Sequence, residues 1–193
     1  MANLSWFALY VKSRHEKHVS TILQGKGYEI FLPTYTHRVK YSKTFELPLF
    51  PSYVFCRLDP QTPLPIISTP GVFSIISNAE GPAPISEHEL DGLRRMLQAT
   101  SMPTVWPYVA PGDEIVIESG PFEGVRGVVV DVSDGRWLVI SINLLQRSVA
   151  VRLERESLAM KVDLPSGSKY RVTRHDALRR QTTRACNRAR HFA

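Results

Sequence analysis

His15 and His18 stand three residues apart, a helical spacing that turns two imidazoles to one side and could begin a metal site. Cys56 and Cys186 lie far from them in sequence, and no carboxylate motif supplies the missing ligands. The pair therefore reads as surface histidines, and no metal is expected. Cys56 sits in an apolar run, where a thiol packs and does not attack. The chain has no GxxxxGK phosphate loop, no nucleophile elbow and no carboxylate pair at telling spacing. No catalytic residue, no cofactor and no enzyme are expected. Binding chemistry remains, and it is of two kinds. Cations gather at Lys12, Arg14 and His15, close to His18, and again at Arg38, Lys40 and Lys43. Such groups either hold phosphates or form solvated loops. Rings gather in Leu49-Phe50-Pro51-Ser52-Tyr53-Val54-Phe55, where Tyr53 and Phe55 share one strand face and Val54 and Cys56 the other. With Val54 toward the helices, Tyr53 and Phe55 stand on the uncovered side. An aromatic patch there is either the floor of a partner site or the lid of an unseen core.

The elements that must position these residues fall into zones. Leu4–Val11 is apolar on both faces and reads as a central strand. Ser13 and Glu16 form a capping box, opening a helix that buries Val19, Ile22 and Leu23 and stops near Gly25 or Gly27. A strand resumes over 29–35, and Thr36–Glu46 is a basic, hairpin-like stretch leading into a strand over 48–58. A short apolar turn at 65–68 and Thr69-Pro70-Gly71 precede a strand over 72–77. Ser86 and Glu89 form a second capping box for a helix whose Leu90, Leu93 and Leu97 share a face. Residues 1–100 thus read as an α+β sandwich, one antiparallel sheet backed by helices. Residues 101–110 are proline-rich and read as a flexible linker. Residues 111–160 are β in character.

Charge sharpens this division. The net charge is +6, and from Asp163 onward Lys169 and seven arginines face only Asp163 and Asp176. Residues 1–162 therefore balance, and the tail (161–193) alone supplies a field that attracts nucleic acid. Poor in apolar residues, the tail reads as disordered, either a phosphate-binding arm or a plain extension. The N-terminus lacks a charged segment followed by a cleavable apolar one, and no apolar run is long enough for a bilayer. A cytoplasmic protein without membrane contact is expected, and two distant cysteines argue against a disulfide framework.

The stretch Pro111–Val132, PGDEIVIESGPFEGVRGVVVDV, reads as two strands joined through a glycine-rich corner at Gly120, Gly124 and Gly127. It resembles the KOW motif, a five-stranded barrel found in transcription factors of the NusG type and in ribosomal proteins. Trp6-Phe7-Ala8-Leu9-Tyr10, the LFPSYVF run, Thr69-Pro70-Gly71-Val72 and this corner follow in the order seen in the NusG superfamily, over residues 4–158. The resemblance implies an NGN-type domain that docks on the clamp helices of the largest RNA polymerase subunit. Tyr10, Phe50, Pro51, Tyr53 and Phe55 are the residues it places in that contact. It also implies contact with the non-template DNA strand, where Lys12 matches a basic family position, Arg14 and His15 match by neighbourhood, and Arg38, Lys40 and Lys43 lie on the adjoining hairpin; nascent RNA is the other candidate partner.

Ser52 stands where housekeeping members carry glycine, and LFPSYVF looks more like the specialised paralogs UpxY and RfaH. The loop Asn143–Val149 is similar to the UpxY group, with Leu144, Leu145 and Arg147 as the candidate partner contact. Leucines in place of an exposed aromatic put Rho in doubt there and leave a ribosomal protein open. Thr62–Ile67 lacks the His-Thr-Thr motif of RfaH. The β-branched runs at 128–130 and 139–142 favour a permanent barrel without a fold switch. The expected function is a monomeric elongation factor of the processivity or antitermination type, its barrel recruiting a second partner. The alternative is a ribosome-associated RNA-binding KOW protein, which would call for a basic folded body.

Overall fold

A computed structural model describes residues 4–39, 43–99, 103–106, 108–109, 115–117, 122–132 and 135–153. The chain divides into two compact units, Met1–Arg94 and Arg95–Ala193. Both are built on antiparallel sheets with few helices, the mixed α/β architecture expected.

The first unit begins with β1 (Ser5–Val11), α1 (Glu16–Gly25), β2 (Glu29–Phe31), β3 (Thr34–Val39), β4 (Lys43–Pro48) and β5 (Tyr53–Leu58). It continues with α2 (Leu64–Ile67), β6 (Val72–Ile75), β7 (Ser77–Asn78), β8 (Gly81–Pro82), β9 (Pro84–Ile85) and α3 (Glu87–Ala99). Its sheet runs β2-β5-β1-β6 with β9 also on β1, so β1 is central, as its two apolar faces require. β3–β4 and β7–β8 are separate two-stranded ribbons. One sheet face carries Phe7, Leu9, Val11, Val54, Cys56 and Leu58, which close a core with Val19 and Leu23 of α1 and Ile66 of α2. Burial pushes the Cys56 thiol up to about 12. In a Cys186→Ser variant, the native protein is therefore expected to resist thiol reagents at pH 8 and to react fully only in denaturant.

The start of α1 departs from the expected capping box. Glu16 is the first helical residue, His15 occupies the cap position without a side-chain bond, and Arg14 has φ 65°. The Glu16 carboxylate, almost fully buried, accepts instead the backbone N–H of Ser52 at 2.8 Å. A long-range donor outcompeted the local one. α3 starts where its sequence predicts, with the Ser86 carbonyl accepting the Leu90 N–H. Its buried side chains are Leu90, Leu93 and Met96; Leu97 is only half-buried.

The second unit contains β10 (Thr104–Trp106), β11 (Ile115–Val116), β12 (Arg126–Val132), β13 (Gly135–Ile142), a 3-10 turn at Asn143–Leu145 and β14 (Arg147–Leu153). Its sheet runs β10-β14-β13-β12-β11. Among the described residues it is an open path of five strands, where a closed barrel was expected. β10 lies within the segment read as linker: Thr104, Val105 and Trp106 pair with Ala150, Val149 and Ser148. Prolines at 103 and 107 flank the strand without interrupting it. Trp106 and Trp137 meet at 5.1 Å inside the core with Val128, Val130, Val139 and Ala150. Gly127 lets strands close up, since a Cβ there would lie 2.5 Å from the Val139 carbonyl oxygen. Gly124 turns the corner with φ 74°, while Gly120 lies outside the described residues. The tail, 161–193, also lies outside them.

Candidate functional site

The second face of the first sheet is covered only in part. Cross-strand pairing aligns Trp6 with Arg57, Ala8 with Phe55 and Tyr10 with Tyr53, and Phe31 with Phe55 on the other side. Partners in register share a face, so Trp6, Ala8, Tyr10, Phe31, Tyr53, Phe55 and Arg57 form one surface. α3 covers part of it. The Arg94 guanidinium lies 4.8 Å from the Trp6 ring centre and 5.0 Å from that of Phe31, a cation–π clamp on both. Arg57 also reaches Glu29 at 3.2 Å and, farther off, Glu87 at the start of α3.

Ring packing corrects two of the expected contact residues. Phe55 is fully buried and Phe50 is only 1% exposed. Phe50 meets Phe55 edge-on at 5.7 Å, and Phe31 stacks on Phe55 at 6.0 Å. Ala8 opposite Phe55 leaves room for that ring, and Phe31 and Phe50 seal it. Strand alternation located the face correctly but gave no sign of how far α3 extends over it. Tyr10, by contrast, is 41% exposed, Tyr53 is half-buried and Pro51 is exposed.

A third exposed ring joins them. Phe73 is 59% exposed and sits 5.5 Å from Tyr10, which in turn sits 5.8 Å from Tyr53. Its position comes from a bulge. β6 pairs Ile75 with Leu9 and Ser74 with Tyr10, but Val11 pairs with Val72, leaving Phe73 as the extra residue. Plain alternation would put Phe73 on the same side as Ile75, in the core. The bulge also explains why Val72 and Ile75 are both buried although two residues lie between them, a spacing that plain alternation puts on opposite faces.

Hydrogen bonds fix the rim of this aromatic cluster. Ser52 has φ 67°, a left-handed conformation that glycine adopts freely and serine does not. It is held by its carbonyl accepting the Val11 N–H at 2.9 Å and by its own N–H on Glu16. Gly71, at φ 93°, accepts the Lys12 N–H on its carbonyl at 2.8 Å. The loop that carries Lys12 and Arg14 is thus tied to both turns that present the rings. Removing the Glu16 acceptor leaves a half-buried N–H unpaired beside a strained serine. Glu16→Ala is expected to cost about 2 kcal/mol of stability, measured by urea unfolding of the full chain.

The basic candidates lie on two neighbouring elements. Lys12 and Arg14 are exposed and His15 is half-buried, with His18 at 6.2 Å from it in an edge-on arrangement. The β3–β4 hairpin adjoins α1 through the Lys17–Glu46 ion pair. Hydrogen bonds from Lys17 and Thr34, and the Lys17 charge, hold the Glu46 carboxyl below its ordinary range. That contribution is present above the unfolded carboxylate range and fades as pH falls through the lowered folded value. Both side chains are largely exposed, so it is worth less than about 1 kcal/mol. Arg38 pairs with Thr44 and Val39 with Lys43 in the backbone register; Lys40 lies outside the described residues.

In the second unit Leu144 and Leu145 are half-buried on the 3-10 turn, and Arg147 is exposed at the start of β14. Gln146 between them is left-handed at φ 49°, and Asn143 accepts the Tyr108 hydroxyl proton at 3.1 Å. Among the described residues no group of three His, Cys, Asp or Glu side chains could hold a metal, and no helix is long and apolar enough to cross a membrane.

The chain is similar to known proteins. A family model described as transcription termination factor nusG matches residues 4–94. The chain is 29% identical to the transcription termination/antitermination protein NusG of Pasteurella multocida over 167 residues, covering 77% of this chain and 91% of that one. It is 35% identical over 115 residues to the protein of the same name from Haemophilus influenzae, covering 56% and 62%. Among solved structures, Thermotoga maritima NusG has 23% identity and a TM-score of 0.47, over 79% of this chain and 94% of that one. Residues 4–94, which carry the exposed ring cluster and the turns that present it, match the NusG family model, and the chain is similar to transcription termination/antitermination proteins of that family.

Proposed function

We propose that this protein is a transcription elongation regulator whose first unit docks on the clamp helices of RNA polymerase through Tyr10, Tyr53 and Phe73. The observation that carries the reading is that these three rings form one exposed aromatic cluster on a sheet whose other face is fully packed. A shallow aromatic floor suits the apolar ridge of a helical pair, and its rings lose little conformational entropy on burial. Pro51 lies at the rim, while Phe50 and Phe55 act behind it as the layer that holds Tyr53 in place. Lys12, Arg14 and His15, with Arg38, Lys40 and Lys43, face non-template DNA or nascent RNA. By gripping the clamp in its closed state the factor disfavours pausing, and its effect is bounded by its differential affinity for that state.

In this reading the factor is of the specialised UpxY/RfaH type, acting in processivity or antitermination. Ser52 at the strained corner and the leucines of the 143–149 loop support that assignment. Residues 1–100 are the NGN-type domain, 111–160 a KOW barrel to which β10 is added, and 161–193 a basic tail. The barrel offers Leu144, Leu145 and Arg147 to a ribosomal protein or to Rho. Co-purification of the tagged full chain against core RNA polymerase and against ribosomes tests the proposal. Retention on polymerase through the first unit is expected. Retention on ribosomes alone would favour an RNA-binding KOW protein instead.

A further inference from the structure

The hairpin β3–β4 forms a sheet of its own, and its two faces differ in chemistry. Register pairs Thr34 with Pro48 and Thr36 with Glu46 on one face, and Tyr35 with Leu47 and His37 with Phe45 on the other. The first face is occupied: Glu46 accepts from Lys17 of α1 and from Thr34. The second is open. Phe45 is 50% exposed and Leu47 38%, His37 is exposed and Tyr35 half-buried. The same register sets Lys43, opposite Val39, on the ring-bearing side and Arg38, opposite Thr44, on the other.

A protein partner would select against this mixture, because interface cores are depleted in lysine. Unpaired bases select for it, since rings offer stacking faces and cations take the phosphates. A duplex keeps its bases stacked on one another and has no such face to give. We propose that Tyr35, His37 and Phe45 form a base-stacking face for single-stranded nucleic acid, with Leu47 as its apolar margin. The inference deepens the nucleic-acid half of the proposed function and assigns base contact to residues outside the cationic set. It is independent of the polymerase-docking rings.

The test uses the full chain with fluorescent single-stranded DNA and RNA oligonucleotides of about 12 nucleotides, and with the corresponding duplex, at about 0.3 M salt so that phosphate-only contacts fade. Single strands are expected to bind, the duplex more weakly. Phe45→Ala and Phe45→Leu should each weaken single-strand binding about fivefold or more, while Phe45→Tyr restores it and Thr44→Ala on the opposite face leaves it unchanged. The DNA and RNA arms separate the two sources of single strand. Oligonucleotides carrying 5-iodouracil should photocrosslink to the peptide containing residues 35–47. Wild-type affinity in a folded Phe45→Ala, equal binding of duplex, or crosslinks confined to the tail would overturn the proposal. So would absent single-strand binding, and equal affinity in Phe45→Leu, which would show that ring stacking does not hold the strand. Tyr53→Ala should leave all these readouts unchanged, so failure of polymerase docking and failure of stacking are told apart.

Discussion

Tyr53→Ala is expected to weaken binding to core RNA polymerase about thirtyfold or more while the protein stays folded. Tyr53 is half-buried at the end of the covered sheet face, with Tyr10 beside it at 5.8 Å. Truncating a central aromatic anchor in such an interface costs about 2 kcal/mol or more of binding. The cost to folding is smaller, because the ring is only partly withdrawn from water. Phe55→Ala is the informative contrast. That ring is fully buried between Phe31 and Phe50, so its loss should cost about 3 kcal/mol of stability or more and remove binding only through unfolding. Phe73→Ala should resemble Tyr53→Ala, since its ring is exposed and contributes little to the core. Melting temperature and polymerase retention measured together separate the cases. A folded Tyr53→Ala that is retained as well as wild type would remove the aromatic cluster from the docking surface.

The largest effect in the second unit is expected at Gly127. A methyl group there would approach the Val139 carbonyl oxygen to 2.5 Å and the Leu138 side chain to 3.0 Å. Backbone cannot swing aside as a side chain can, so β12 and β13 must separate next to the Val128–Val139 pair. Gly127→Ala should destabilise this unit by about 2 kcal/mol or more, and Gly127→Val by more again. Hydrogen exchange resolves the two units. Amides of β12, β13 and β14 should lose protection while those of β1 and β5 keep theirs. Unchanged protection in β12 and β13 would show that the strands accommodate a Cβ.

Much of this was legible because short-range patterns and long-range packing agreed. β1 reads as central from its apolar faces, and Gly124 and Gly127 as parts of the corner that joins two strands. The site was legible only in part. Tyr10 and Tyr53 followed from motif and alternation. Phe50 and Phe55 did not, because their burial comes from packing on each other and on Phe31 of a separate strand, which alternation within one strand does not show. Glu16 misled for the same reason: its nearest donors lie in its own helix, yet the stronger constraint is the Ser52 N–H. The strand at 104–106 was hidden by the prolines around it, which break ladders in the middle of a sheet but tolerate an edge, where β10 lies.

The bulge in β6 has an evolutionary corollary. Whether Phe73 faces water depends on how many residues separate Gly71 from Ile75, rather than on which residues they are. A point substitution can dull the ring cluster but leaves the other side chains on their sides of the sheet. Deleting Val72 would restore even pairing, set Phe73 opposite Val11 and turn an aromatic ring inward in a single step. Relatives that lost this contact would therefore be recognised by a length change in that short stretch, with the flanking motifs intact.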